Sequence, residues 1–165
     1  MLKSTLVLSA VLAYGAAQAA VVVPMYQVTT QGTKTNLGTV TLTDSPYGLM
    51  LTPNLHGLTP GAHGFHIHEN PSCADAAMAA GGHLDPNGRN LHLGPYNNLG
   101  HLGDLPVLVA DVNGDATLPI VAPKLTLAQT DGHALMIHAG SDNYADTPEK
   151  LGGGGARFAC GVIPK

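Results

Sequence analysis

The stretch that decides the fold is a short run in the first half of the chain, Gly64-Phe65-His66-Ile67-His68. Because successive side chains of a β-strand point to opposite faces, both imidazoles of this run lie on one face, with backbone positions about 7 Å apart. Two imidazoles at that spacing can bind one metal ion. The run therefore predicts a strand that carries two metal ligands on the same face.

The rest of the chain has the pattern of an all-β protein. Helical periodicity is almost absent, and short β-branched or apolar runs alternate with Gly, Pro, Asn and Asp. Eight such runs predict strands at 21–29, 38–43, 48–55, 61–68, 105–111, 116–120, 134–138 and 157–162. Two longer segments, 69–104 and 139–155, break the even spacing, and we expect them to be functional loops. The pattern predicts a closed or sandwiched antiparallel β fold.

Residues 1–19 have the composition of a secretory signal peptide. Lys3 supplies the positive start, a short apolar run follows, and a small-x-small cleavage site ends at Ala19. The apolar run is far shorter than the about 20 residues that a spanning helix needs, so we predict export without a membrane span. The remaining residues, 20–165, have the usual length of one domain. The periplasm is the predicted location, and secretion from the cell is the alternative.

Composition limits the partners and suggests a crosslink. Seven basic residues against eleven acidic ones, without a basic cluster, argue against nucleic acid or an anionic membrane as a partner. Cys73 and Cys160 are the two cysteines, and in an exported chain an intrachain disulfide between them is the predicted state. Closing a loop of about 90 residues adds on the order of 4–5 kcal/mol to stability in the chain-entropy model.

Seven side chains that can bind metals form two groups along the chain. One group is a closed tetrahedral set of three imidazoles and a carboxylate, which suits zinc: His83, His92, His101 and Asp104. The other group is a nitrogen-rich set that suits Cu(II) but lacks a fourth ligand: His66, His68 and His138. Because imidazole has two ring nitrogens, His83 could serve both metals, although spacing alone does not establish this. His63 lies on the opposite face by parity, so we expect it to pack rather than to bind a metal.

Longer motifs around these residues resemble the copper,zinc superoxide dismutase family. Residues 64–73 and 155–163 resemble its two signature segments, and residues 80–86, 93–96 and 100–106 resemble its bacterial, exported branch. The resemblance implies an eight-stranded antiparallel Greek-key barrel with one copper ion and one zinc ion per chain. It also implies an enzyme that converts superoxide to dioxygen and hydrogen peroxide, in which copper changes oxidation state and zinc is structural.

The resemblance further implies a role for each site residue. The implied copper ligands are His66, His68, His83 and His138, and the implied zinc ligands are His83, His92, His101 and Asp104, with His83 as the bridging imidazolate. Asp142 is implied as the carboxylate that links a copper ligand to a zinc ligand, and Cys73 and Cys160 as the disulfide. Arg157, placed over the copper channel, and His83 are the implied catalytic residues.

Two other functions are compatible with parts of the sequence. A non-enzymatic copper or zinc carrier could use the same ligands, but carriers favour exposed, sulfur-rich ligands, and this chain has no spare thiol. An exported β-sandwich adhesion module would explain the strands and leave the seven ligands without a role. The segment between Cys73 and His83 is short where bacterial relatives often carry an insertion, so the sequence leaves both a homodimer and a monomer open.

Overall fold

The computed structural model describes residues 19–30 and 35–165, so the predicted signal peptide lies, apart from Ala19, outside the described residues. The strands in this part of the chain are β1 (Ala20–Gln27), β2 (Asn36–Ser45), β3 (Gly48–Leu55), β4 (Gly61–His63), β5 (Phe65–His68), β6 (Leu108–Ala110), β7 (Ile120–Ala122), β8 (Ala134–His138) and β9 (Arg157–Val162). Short 3-10 helices cover Met78–Ala80, Leu127–Thr130 and Lys150–Gly153. Among these residues, no helix has the length and apolar character that a bilayer span requires.

Seven strands form one curled antiparallel sheet in the order β5-β8-β9-β1-β2-β3-β7, and β4 pairs separately with β6. β9 returns from the end of the chain to lie beside β1, which gives the spatial order β9-β1-β2-β3. That order, with a fourth strand beside the first of three consecutive ones, is the Greek-key arrangement. The predicted antiparallel Greek-key class is confirmed.

The strand predicted at 61–68 divides at Gly64 into β4 and β5, which pair with β6 and β8. Gly64 N donates a hydrogen bond to Gly140 O at 2.8 Å, and Gly64 O accepts one from His138 N at 2.8 Å. The backbone of Gly64 therefore bonds to the end of β8 and the loop that follows it. This break is why the described residues form nine strands where eight runs were predicted.

Two other predicted strands are shorter or displaced. Of the run 105–111 only Leu108–Ala110 is a strand, and the run 116–120 is replaced by Ile120–Ala122. Pro106 and Pro119 stand just before these strands. Proline has no backbone N–H to donate to a neighbouring strand, so pairing begins only after it.

The hydrophobic core lies against one face of β5. Phe65 and Ile67 are fully buried and belong to the main core cluster, whereas His66 and His68 point to the opposite face, as the strand period predicts. The cluster also takes inward-facing residues of the neighbouring strands, among them Val23, Met25, Val40, Leu42, Leu49, Leu51, Leu135 and Ile137. One face of β5 is thus fixed by packing, and the other carries the two histidines.

The loop after β5 is fastened to β5 by backbone hydrogen bonds at both ends. Leu84 N donates to Ile67 O at 2.8 Å, and Ile67 N donates to Gly103 O at 2.9 Å. A Cβ atom on Gly103 would lie 2.3 Å from Ile67 O, so this close approach requires glycine. The docking places His83 beside His68 and Asp104 beside His66.

The predicted disulfide between Cys73 and Cys160 is present and joins residues 87 apart in the sequence. Replacing both cysteines with alanine is expected to lower the free energy of unfolding by about 4 kcal/mol, because the crosslink restricts the unfolded chain. Urea denaturation of the metal-free protein measures the change. Thiol-reduced wild type is the matched control and should lose about as much. A double variant as stable as the oxidised protein would contradict the expectation.

Candidate metal centre

Buried histidines from three parts of the chain meet on the outer face of β5. Four of them offer ring nitrogens that all lie within 4.8 Å of one another: His66, His68, His83 and His138. A second group meets the same distance limit: His66, His83, His92 and Asp104. All members are buried, and His66 and His83 belong to both groups. The structure therefore brings together the three predicted copper-binding histidines and His83.

Asp142 joins the two groups through its two carboxylate oxygens. His66 Nε2 donates to Asp142 Oδ2 at 2.8 Å, and His92 Nε2 donates to Asp142 Oδ1 at 2.8 Å. Tyr144 N donates to Asp142 Oδ1 at 2.7 Å. Gly152 has φ +75, and a Cβ atom there would lie 1.9 Å from Asp142 Oδ1, so glycine is needed for the loop to pass this carboxylate. The carboxylate fixes the orientation of two imidazole rings.

Two further histidines are oriented by backbone carbonyl groups. His68 Nδ1 donates to Gly81 O at 3.0 Å, and His138 Nδ1 donates to Gly155 O at 3.2 Å. Both guanidinium nitrogens NH1 and NH2 of Arg157 also donate to carbonyls, those of Ala77 and Gly81. The carbonyl of Gly81 therefore accepts hydrogen bonds from both His68 and Arg157, and it holds the cation beside this histidine.

The other ring nitrogens of these four histidines are buried and lack a hydrogen-bond partner: His66 Nδ1, His68 Nε2, His92 Nδ1 and His138 Nε2. His92 Nδ1 lies 3.1 Å from an oxygen of Asp104, but without the geometry of a hydrogen bond. Buried polar atoms in proteins are nearly always paired, and an unpaired one costs about 1–3 kcal/mol. When His66, His68 or His138 donates its one proton from the outer nitrogen, the inner nitrogen carries a lone pair, which is what a metal ion binds. His92 offers such a lone pair once its second proton is displaced. These side chains fit metal ions.

The predicted zinc ligands meet at one oxygen of Asp104. The Nδ1 atoms of His83, His92 and His101 lie 2.9, 3.1 and 3.3 Å from Asp104 Oδ1. Gly94 N donates to the other oxygen, Oδ2, at 3.2 Å. The structure therefore brings the four predicted zinc ligands together. His101 stands at the edge of the set, since the compact second group contains His66 in its place.

Asp146 connects the two long loops and was not among the predicted site residues. Its Oδ2 accepts a hydrogen bond from His92 N at 2.9 Å, and its Oδ1 accepts one from Leu151 N at 3.1 Å. These hydrogen bonds lower the pKa of Asp146. In the sequence, Asp146 is a carboxylate in a glycine-rich loop. Such residues are common in turns, so the sequence alone does not predict this contact.

His63 packs beneath the centre, as its parity predicts. His63 Nδ1 lies 2.7 Å from His138 O, and its Nε2 lies 2.8 Å from Thr59 O. The residue is buried and belongs to neither ligand group. It supports the backbone of β8 where His138 begins the loop.

Burial keeps the first group uncharged in the metal-free protein. Burial, followed by the field of the neighbouring histidines, lowers the pKa of His66 to about 3. Burial and His83 lower the pKa of His68 to about 2, and burial lowers that of His138 to about 4. Arg157 adds to the last two shifts. Neutral imidazole is the form that binds metals.

Two carboxylates and one histidine of the centre are charged rather than neutral in the metal-free protein. Although burial disfavours a charged ring, the carboxylates of Asp104 and Asp142 raise the pKa of His92 to about 9. Burial also disfavours ionised carboxylates, yet hydrogen bonds from the histidines hold the pKa of Asp104 and that of Asp142 well below their usual range. At neutral pH the metal-free protein thus holds Asp104 and Asp142 as carboxylates beside a protonated His92.

Comparison with known proteins identifies the family. Residues 36–163 match the family described as copper/zinc superoxide dismutase. A superoxide dismutase [Cu-Zn] of Salmonella typhimurium is 53% identical over 152 residues, which cover 87% of this chain and 86% of the relative. The chain belongs to the copper/zinc superoxide dismutase family. It is an enzyme that dismutes superoxide, and its cofactors are copper and zinc.

Solved structures agree with the fold of this dismutase. The Cu/Zn superoxide dismutase of Brucella abortus has a TM-score of 0.84 and 50% identity, covering 88% of this chain and 99% of its own. The monomeric copper, zinc superoxide dismutase of Salmonella enterica has a TM-score of 0.77 and 51% identity, with the same two coverages.

The metal-free dismutase is expected to lose stability as the pH falls below 6.5. His66, His68 and His138 have folded pKa values below the 6.5 of the unfolded chain, so the unfolded state binds more protons under acid conditions. Each group contributes about 1.4 kcal/mol per pH unit in this range. His92 acts in the opposite sense: its contribution is complete below 6.5 and is lost as the pH rises through about 9.

Urea denaturation of the metal-free protein at pH 5, 7 and 9 measures this profile, with maximal stability expected near pH 7. The loss between pH 7 and pH 5 should amount to several kcal/mol. Equal stability at pH 5 and pH 7 would contradict the expected protonation of the buried histidines.

Proposed function

We propose that the two groups divide the metals, with His83 shared between them. The proposed copper ligands are His66, His68, His83 and His138, and the proposed zinc ligands are His83, His92, His101 and Asp104. The observation that carries the proposal is the set of four buried ring nitrogens without partners, three of which belong to the proposed copper ligands and one, His92 Nδ1, to the proposed zinc ligands. The convergence of three Nδ1 atoms on Asp104 Oδ1 supports the zinc half.

When bound, copper supplies the one-electron exchange with superoxide, and zinc cannot, because it has no accessible second oxidation state. The protein supplies orientation and protons. Asp142 keeps the rings of His66 and His92 aimed through their Nε2 atoms. His83 is held on its Nδ1 side by Asp104, so its Nε2 faces the copper group and can hold a proton for the peroxide product.

Arg157 is the proposed guide for the anionic substrate. Its guanidinium cannot lose its proton in a protein, and two carbonyl groups hold it in place. It lies close enough to His68 and His138 to contribute to lowering their pKa values. A fixed cation beside the copper group attracts superoxide and speeds its arrival.

The competing function is a copper or zinc carrier on the same fold. Burial of all the ligands and a fixed arginine beside them favour the enzyme, because a carrier must release its metal. The deciding experiment is superoxide dismutation by protein with measured copper and zinc content. One copper and one zinc per chain with no dismutation would favour the carrier.

The proposed mature protein is a single exported domain of residues 20–165, with residues 1–19 as its signal peptide. The first and last described strands, β1 and β9, are neighbours in one sheet, which supports one domain. The disulfide supports an oxidising compartment, and the periplasm is the proposed one. Each ligand group comes from a single chain, so we propose that superoxide is handled by the monomer, whether or not it pairs into a homodimer.

The proposed division predicts that copper and zinc can be removed separately by different substitutions. His138→Ala is expected to remove copper and abolish dismutation while zinc stays bound, because His138 lies only in the first group. Asp104→Asn is expected to release zinc first. Metal content after dialysis, measured by plasma mass spectrometry, tests both, with His56→Ala as the control. If His138→Ala loses both metals equally, the division is wrong.

The role of Arg157 predicts a change in salt dependence. Arg157→Met should lower the rate of dismutation roughly tenfold at low ionic strength and flatten its fall with added salt, since steering by a cation is screened by salt. Pulse radiolysis across a salt series measures both effects. Arg89 is an exposed cation elsewhere, so Arg89→Met should behave as wild type. An unchanged salt profile for Arg157→Met would remove this residue from the mechanism.

A further inference from the structure

Lys124 makes three hydrogen bonds to one loop. Its Nζ atom donates to His101 O at 2.8 Å, to Asn97 O at 3.0 Å and to Gly94 O at 3.1 Å. An ammonium group has three N–H donors, so each donor of Lys124 has an acceptor. The side chain is half-buried. An exposed lysine can instead donate its hydrogen bonds to water, so three protein acceptors around one ammonium group are unusual.

The backbone of Lys124 is anchored in the sheet. The residue follows β7 at a turn in which Leu125 N donates to Ala122 O at 3.3 Å. Leu125 O in turn accepts a hydrogen bond from Leu49 N of β3 at 2.8 Å, and Ala122 pairs with Leu49. Both neighbours, Ala122 and Leu125, are buried. The ammonium therefore extends from a rigid part of the fold.

The loop that receives these hydrogen bonds has no helix or strand of its own between residues 85 and 107. Two of its residues, His101 and Gly94, connect the ammonium group of Lys124 to the proposed zinc ligands. His101 offers its own carbonyl to Lys124. Gly94 offers its carbonyl to Lys124 and its N–H to Asp104 Oδ2, at 3.2 Å. The ammonium thus reaches the backbone of His101 directly and Asp104 through one residue, Gly94.

We propose that Lys124 is a positioning residue for the zinc site, whose ammonium group holds the segment 94–104 in its binding conformation before zinc arrives. This inference rests on the proposed zinc ligands His101 and Asp104. Ordering a loop in advance strengthens binding because the bound metal no longer has to offset the loss of loop entropy. Hydrogen bonds from a charged donor are stronger than neutral ones, so the three bonds of Lys124 favour this ordered conformation.

Zinc release tests the proposal without relying on enzyme activity. The variant Lys124→Met keeps the length of the side chain and removes all three donors, and Lys124→Gln keeps two donors without the charge. Fully metallated protein is mixed with a chromogenic chelator, and zinc and copper release are followed separately. Arg89→Met, which removes an exposed cation from the same loop, is the matched control.

The expected result is zinc release at least tenfold faster in Lys124→Met, an intermediate rate in Lys124→Gln, and wild-type rates in Arg89→Met. Copper release should be unchanged in all three. The melting temperature of the zinc-loaded form should fall more than that of the metal-free form. A lysine that only stabilises the barrel would lower both melting temperatures equally and leave the zinc release rate unchanged, and that outcome would overturn the proposal.

The variant Asp104→Asn separates this inference from the ligand assignment. If Asp104→Asn retains zinc as wild type does, the assignment of the zinc site is wrong. If Asp104→Asn loses zinc while Lys124→Met releases it at the wild-type rate, the assignment stands and only the role of Lys124 is refuted. Cobalt bound in place of zinc gives a second readout, because its visible bands should shift in Lys124→Met.

Discussion

The metal centre depends on hydrogen bonds from the outer ring nitrogens of its buried histidines. A neutral imidazole has one donor and one acceptor nitrogen, so a carbonyl or carboxylate on one side fixes both the tautomer and the ring plane. Asp142 does this for His66 and His92, and Gly81 and Gly155 do it for His68 and His138. The inner ring nitrogens then converge, and no protein group hydrogen-bonds to them.

These acceptors belong to loops, whereas most of the copper group belongs to strands. The barrel places His66, His68 and His138 through pairing of β5 with β8. Backbone hydrogen bonds fasten the loops to the strands, as Leu84 and Gly103 do on either side of Ile67. Three charged side chains add hydrogen bonds to loop backbone groups: Arg157 on the segment before His83, Asp146 between the two long loops, and Lys124 on the segment before Asp104. Charged groups are effective here because one side chain can hold several peptide groups at once.

The sequence predicted the parts of the centre that follow local rules. The two-residue period of a strand places His66 and His68 together and His63 apart, and the structure agrees. The all-β class followed from short runs and turn residues. The resemblance to a known family supplied what spacing could not, namely that His138 meets His66 and that His83 lies in both groups.

What the sequence could not predict depends on contacts between distant segments. The break at Gly64 arises from hydrogen bonds to residues more than seventy positions later. Lys124 and His101 are 23 residues apart, and neither a periodic pattern nor a motif connects them. A lysine after a short strand has the same local signature whether it is solvated or bonded to three carbonyls. Only the folded structure, in which β3 and β7 place Lys124 beside the loop of residues 85–107, shows that this lysine is bonded to three carbonyls.

The two halves of the centre differ in how they exchange protons for metals. His66, His68 and His138 are already neutral above about pH 4, so a metal ion that binds these three rings at neutral pH displaces no proton from their inner nitrogens. A shared His83 would differ, because a metal ion on each of its two nitrogens would displace its ring proton. The zinc group holds a proton on His92 up to about pH 9, and that proton balances part of the charge of Asp104 and Asp142. Zinc must displace it, because a ring that is protonated on both nitrogens has no lone pair. In the metal-free protein the proton on His92 therefore offsets part of the negative charge of the two buried carboxylates. Zinc supplies this positive charge once it binds.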